Sequence, residues 1–311
     1  MIFFILKRFL IAVPTLLGLA LVTFLLLRAI PGDPALGLVG ERADPKTVEA
    51  IRQQLGVDKP LLRQFIGYLN LLAKGNLGKS YYTRRDVSED ILQKFPNTLR
   101  LAFSAMLISV LFGTMLGILS AVNRGGAWEK FFSGVALAGI SLPVFWVGLI
   151  LMLLFAFILP IFPPSGMGGG NPVYLVLPAA TLGLNSAAFV ARITRMSLIE
   201  ALGSQYILTA RAKGLSPFWI VAKHALRNAL IPVITLVAID FGSLLNGSVL
   251  TETIFGWDGL GRYALDGIMK RDYPVILGTV LVGSAAFVFF NLLADVAYAY
   301  IDPRIRYGRR G

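Results

Sequence analysis

Long apolar blocks separated by polar segments set the pattern of this chain. The first, Phe9 to Leu27, is an almost uncharged run of about 19 residues, enough at about 1.5 Å per residue to cross roughly 30 Å of hydrocarbon as a helix. Further blocks recur at Thr98 to Val122, Phe131 to Leu159, Val173 to Ile193, Ala229 to Leu250 and Pro274 to Tyr300. The pattern predicts an all-α integral membrane protein of about six transmembrane helices. Lys7 and Arg8 precede the first block as they would in a signal peptide. The run is longer than a typical signal core, however, and Leu27-Arg28-Ala29-Ile30-Pro31 offers no small-x-small cleavage site, so it is expected to stay as an anchor.

Between the first two blocks lies a polar excursion, residues 30–97, that carries helix signals of its own. Asp44 followed by Pro45 suits a helix start, Val48, Ile51 and Leu55 share a face, and Gly56 can close the end. A second helix is expected from about Pro60 to Gly75, with Leu62, Phe65, Ile66 and Leu69 on one stripe, and a third over Val87 to Phe95. Together they predict a small helical insertion outside the membrane.

Six spans put both ends of the chain on one face. Lys7, Arg8, Arg124, Lys130, Arg304, Arg306, Arg309 and Arg310 all fall on that face, and the segment after the fourth span adds Arg195, Arg211, Lys213, Lys223 and Arg227 against Glu200. The positive-inside rule makes this face cytoplasmic. The opposite loop after the fifth span is balanced, with Glu252, Asp258, Asp266 and Asp272 against Arg262, Lys270 and Arg271.

Composition agrees, with 56% hydrophobic and 15% charged residues. The formal charge of +12 is accounted for by the cytoplasmic loops, so no nucleic-acid partner is needed. No cysteine and a single histidine, His224, leave no metal site, and no paired acids on facing spans suggest a membrane-embedded hydrolase. Gly75-Asn76-Leu77-Gly78-Lys79-Ser80 ends like a phosphate-binding loop, but two residues separate its glycines where four are required to wrap phosphates. It is read as a turn, and no catalytic residue is expected.

The segment after the fourth span, residues 195–228, reads as helix, break, helix. Gly214 can end the first helix, Ser216 can cap the second and Pro217 suits its first position. The second helix carries Phe218, Val221, Ala222 and Ala225 along one side, with Lys223 and Arg227 four apart on another. It suits either the anionic lipid surface or a cytoplasmic partner.

These residues carry a resemblance. Thr209-Ala-Arg-Ala-Lys-Gly214-Leu-Ser-Pro, then Lys223-His-Ala-Leu-Arg-Asn-Ala-Leu-Ile-Pro232, resembles the EAA loop of ABC importer permeases in the form found in the dipeptide, oligopeptide and nickel family. The resemblance extends to Ile30-Pro-Gly-Asp-Pro34, Leu250-Thr-Glu-Thr-Ile-Phe255, Gly259-Leu-Gly-Arg262, Arg271-Asp-Tyr-Pro274 and Asp302-Pro-Arg-Ile-Arg306. It implies that Thr209, Ala210, Arg211, Ala212, Lys213, Gly214, Leu215, Ser216 and Pro217 form the loop that fits a cleft in a separate ATPase. Relative to Gly214, Leu208 and Thr209 replace the usual Glu and first Ala, and Arg227 stands where the general pattern ends in Pro.

Within the spans, Asp240 sits mid-helix, where an ionisable group costs about 2.5 to 3.5 kcal/mol. Facing a water-filled route and facing a buried partner are both open, and Asn246 lies further along the same span. Asn291 and Asp295, four apart near the end of the last span, suit a structural hydrogen bond. Gly113 and Gly117 have the spacing that lets helices approach closely, and Pro143 beside Phe145 and Trp146 suggests a kink.

The expected organisation is residues 1–29 as cytoplasmic end and first helix, 30–97 as the outer insertion, 98–301 as the transmembrane core and 302–311 as a cytoplasmic tail. The resemblance implies a prokaryotic inner-membrane permease forming half of a pathway for peptides or a related small solute. Its partners would be a second, homologous permease, two cytoplasmic ATPases that use ATP and magnesium, and an extracytoplasmic solute-binding protein. The alternative is a secondary transporter with Asp240 as its ion or proton site.

Overall fold

A computed structural model describes residues 2–29, 35, 43–56 and 58–301. The Ile30 to Pro34 motif, the tail from Asp302, and the side chains of Asn246 and Asp295 lie outside the described residues. Helix α1 spans Ile2–Ala29. The polar segment between the first two apolar blocks supplies α2 (Pro45–Leu55) and α3 (Leu61–Ala73). Pro45 opens α2 and Gly56, at φ 64°, closes it by returning its N–H to Gln53. Asp44 occupies the cap position, but its carboxylate makes no cap bond. Phe24 of α1 meets Phe65 and Tyr68 of α3 at ring centroids of 5.4 and 6.3 Å, which seats the insertion on the first span.

Helix α4 runs unbroken over Val87–Val122. The separate helix expected to stop at Phe95 is therefore the N-terminal end of the helix that forms span two, and the boundary at 97 falls inside it. Pro96 lies within α4; it removes one backbone donor, while Asn97 and Thr98 just beyond it bond to the 252–260 segment. At about 1.5 Å per residue α4 is about 54 Å long, so part of it projects beyond a bilayer.

The third apolar block is broken rather than gently kinked. Helix α5 (Ala127–Ser141) and α6 (Val144–Met152, continued by a π-helical turn, Leu153–Ile158) meet at 105°. Leu142 is extended at φ −84°, ψ 134°, as a residue preceding proline must tend to be. The remaining elements are α7 (Val173–Leu202), α8 (Gln205–Ala212), α9 (Leu226–Gly247), α10 (Val249–Ile254), α11 (Leu260–Lys270) and α12 (Tyr273–Ile301). Among the described residues four helices are long and apolar enough to cross a membrane, five with the bent pair, and Leu10–Leu26 of α1 is a shorter apolar helix.

Helices α4 and α7 form the central pair. A Cβ on Gly113 would stand 2.6 Å from the Ala187 carbonyl oxygen and one on Gly117 2.5 Å from Thr194 Cβ. The spacing read as a close-approach signal is the crossing point itself. Around it, Leu101, Ala105, Leu182, Phe241, Leu245 and Trp257 bring α4, α7, α9 and the outer loop into one buried core.

Candidate functional site

At one end of the core, α7 breaks at Gly203 and the chain turns through α8 into an elbow. Lys213 ends α8, Gly214 takes φ 73°, its N–H returns to Arg211 O at 2.9 Å, and Leu215 N–H returns to Ala210 O at 3.4 Å. These two bonds satisfy the last carbonyls of α8 through a left-handed residue, for which glycine is best suited. Pro217 then opens the next helix behind Ser216, whose hydroxyl makes no cap bond. That helix does not end before span five. It passes through a π-helical turn, Ile220–Ala225, directly into α9.

The π turn corrects the face expected for this segment. Bonding from i to i+5 stacks residues five apart, so Ile220 and Ala225 face inward together. Phe218 points outward and is 71% exposed. Inside, Ile207 and Ala210 of α8 pack with Ile220, Ala225 and Ala229, with Leu198 and Ala201 of α7, and with Ala121 of α4. α8 is thereby packed against three long helices.

The outward face has the opposite character. Residues 211–219 are all exposed, and Tyr206, Leu208, Leu215, Phe218 and Trp219 form an uncovered apolar row on both sides of the Gly214 turn. Arg211 and Lys213 flank it. Of the nine residues expected to form the docking loop, Ala210 is buried and belongs to the supporting core, while Thr209 and 211–217 are presented. Such a row beside basic side chains is the kind of exposed apolar patch that a partner protein or a membrane surface covers.

Asp240 lies half-buried on α9, which packs against α7. Its Oδ2 is enclosed without a partner. Asn291 packs against Gly242 of α9, its Oδ1 3.4 Å from where a Cβ would lie.

At the other end of the bundle the structure assembles into one site residues that the sequence showed only as loop charges and as positions in the resembling motifs. Glu252 is fully buried in α10. Its Oε1 accepts from Thr98 Oγ1 at 2.7 Å and Ser248 Oγ at 2.9 Å, and its Oε2 accepts from Arg262 N at 2.9 Å. The Gly261 N–H also donates. The carboxylate thus sits on the N-terminus of α11, whose free amides and dipole favour an anion. Burial pushes the Glu252 carboxyl above its ordinary value, and these four donors draw it partly back.

Other acids extend this collar. Asp258 binds Lys94 Nζ at 2.5 Å, Tyr263 donates to Asp90 at 2.9 Å, and Trp257 Nε1 donates to Asn97 O at 3.0 Å. Asp272 accepts from Ser80 Oγ at 2.5 Å and from the Tyr81 and Tyr82 amides, pinning the Gly75–Ser80 turn to the start of α12. Asp90, Lys94, Asn97 and Thr98 stand at i, i+4, i+7 and i+8, a polar stripe on one helix face. That spacing was the available signal.

Residues 113–307 match the family described as the binding-protein-dependent transport system inner membrane component, and residues 1–102 match its N-terminal component. The glutathione transport system permease protein GsiC of Salmonella paratyphi A is 44% identical over 304 residues, covering 98% of this chain and 99% of that protein. The di/tripeptide transport system permease protein DppB of Pseudomonas aeruginosa is 41% identical over 336 residues, covering 99% and 100%. The fold is shared with the inward-facing MetNI methionine ABC transporter, at TM-score 0.59 and 21% identity over 68% of this chain and 96% of that one.

Proposed function

Because the chain belongs to the inner membrane components of binding-protein-dependent transport systems, and so is a permease subunit of an ABC importer, we propose that the elbow at Gly214 is where a cytoplasmic ATPase drives it. The observation that carries this is the apolar row of Tyr206, Leu208, Leu215, Phe218 and Trp219 standing uncovered on a fully packed support. A partner that grips the row moves α8, and the buried contacts of Ile207 and Ala210 pass that motion to α4, α7 and α9. Hydrolysis of ATP with magnesium belongs to the partner. The orientation is both ends in the cytoplasm, which puts the elbow and the basic loops on that side and the collar outside.

The transported solute is a di- or oligopeptide or a peptide-like molecule such as glutathione, following the relatives at 44% and 41% identity. A second, similar permease completes the pathway, and a solute-binding protein docks on the outer insertion and the collar. Asp240, whose Oδ2 has no hydrogen-bond partner, supplies an acceptor for a cationic group of the solute once the pathway opens onto it. The secondary-transporter alternative loses its ground, because the family is one of ATP-driven importers.

The chain has no cysteine, so single-cysteine variants Leu208→Cys and Phe218→Cys each carry one reactive thiol. In membranes holding the assembled transporter, both are expected to cross-link to an ATPase subunit, and uptake of a labelled dipeptide or of glutathione identifies the solute. Cross-linking to neither position in a transport-competent complex would overturn the docking assignment.

A further inference from the structure

At the same end of the bundle as the elbow, a cavity of about 290 Å³ opens between α4, α5 and α7. Leu116, Phe132, Leu137 and Ile140 make its wall apolar, Arg192 and Arg195 close one end, and no acidic side chain lines it. Arg192 is exposed and has no ion-pair partner among the described residues. Arg195 gives its Nη2 to Glu129, but its Nε is enclosed without a hydrogen-bond partner. Glu129 is already engaged, since its other oxygen accepts from Gly125 N at 2.5 Å. Arg192 therefore keeps unused donors at the mouth of an apolar slot, and Arg195 adds its guanidinium behind it.

The surroundings place this slot at a membrane surface. Trp128, Phe131 and Phe132 pack ring on ring in the first turns of α5, with centroids 5.4 to 6.1 Å apart. Trp128 and Phe131 are 63% and 58% exposed, the arrangement of an aromatic belt at headgroup level. Arg124 precedes this cluster in the chain, and Lys130 lies within it beside Glu129. Basic pockets between transmembrane helices on the cytoplasmic side suit anionic headgroups, and guanidinium forks suit phosphate.

We propose that this slot binds one anionic phospholipid. Its phosphate sits between Arg192 and Arg195 and an acyl chain lies along Phe132, Leu137 and Ile140. A zwitterionic choline headgroup would bring its own cation against the two guanidiniums. The bound lipid bridges α5 and α7 one helical segment before the elbow, so it stiffens the support from which α8 works. Assignment to the cytoplasmic leaflet rests on the orientation proposed above; the lipid's charge class rests on the two arginines alone.

The test is native mass spectrometry of the assembled transporter extracted from vesicles of equal phosphatidylglycerol and phosphatidylcholine. Wild type is expected to retain phosphatidylglycerol in preference to phosphatidylcholine. Arg192→Gln is expected to lower that retention about fivefold, the effect of one basic residue at a lipid surface. Ala136→Phe, which fills the slot without touching charge, should lower it as well. Because Arg192 is exposed, its variant is not expected to misfold, and it carries the test if Ala136→Phe does not assemble. Equal retention in wild type and Arg192→Gln would overturn the proposal. So would displacement of the lipid by inorganic phosphate, which would make the ligand a soluble anion, or cross-linking of Leu137→Cys to the second permease, which would make the slot a protein interface. The same measurement on this chain without its partners separates a failed lipid site from a failed assembly.

Discussion

The Thr98 hydroxyl donates to Glu252 Oε1 at 2.7 Å across 154 positions of sequence, and the same hydroxyl accepts from Leu260 N at 2.7 Å. One side chain on α4 thereby joins the buried carboxylate of α10 to the first turn of α11. Removing the carboxylate leaves two hydroxyls and two backbone amides without their acceptor, each costing about 1–3 kcal/mol when buried. Glu252→Ala is expected to lower the thermal unfolding midpoint of the detergent-solubilised protein by more than any exposed collar substitution, with Thr98→Val intermediate. An unchanged midpoint in Glu252→Ala would remove the collar as a stabilising unit.

Glu252 also gives the outer end a pH dependence of defined sign. Its carboxyl is raised above 4.5 by burial, so the folded state holds the proton more tightly than the unfolded one. The stability this contributes is fully present below about 4.5 and is lost as pH rises through the folded value. Wild type is therefore expected to unfold at a higher temperature at mildly acidic than at neutral pH, and Glu252→Gln is expected to flatten that slope.

Gly214 tests the elbow through backbone alone. A Cβ there meets nothing within 4 Å, yet φ is 73°, which costs an ordinary L residue about 1–2 kcal/mol. Gly214→Val is expected to abolish or sharply reduce uptake while ATP hydrolysis continues and insertion is normal. Gly214→Asn, which tolerates this conformation better, should retain most coupling. Equal coupled transport in wild type and Gly214→Val would contradict the docking role.

The α4–α7 crossing makes a different demand on glycine. A side chain at Gly117 would meet Thr194 and the Ala191 carbonyl at 2.5 to 2.6 Å, whereas one at Gly18 meets nothing within 4 Å. Gly117→Val is expected to destabilise the bundle by about 1–3 kcal/mol through overpacking, and Gly18→Val to leave it unchanged. Thermal unfolding followed by size-exclusion chromatography reads both.

Asp240 is tested by substrate charge. Asp240→Asn keeps the shape but removes the anion. Uptake of a dipeptide with a free amine is expected to fall several-fold through KM, while an amine-acetylated dipeptide, if carried at all, should be unaffected. A loss shared equally by both solutes, with a lower unfolding temperature, would make Asp240 a structural residue.

What the sequence determined about this chain are properties that neighbouring residues enforce on one another. Runs of apolar residues required spans, because a backbone crossing hydrocarbon must satisfy its own polar groups as helix. Gly214 followed by Ser216 and Pro217 required a break, because φ above zero and a missing N–H are local facts. Only the tertiary structure decided where helices fuse, as α4 through Pro96 and the 217–247 segment through its π turn do. It alone turned the proline beside Leu142 into a 105° bend. It alone made Glu252 and Asp272 anchors rather than loop charges. The physical reason is range: a buried carboxylate is defined by donors from helices far away in sequence, and nothing near it in the chain records that they will arrive.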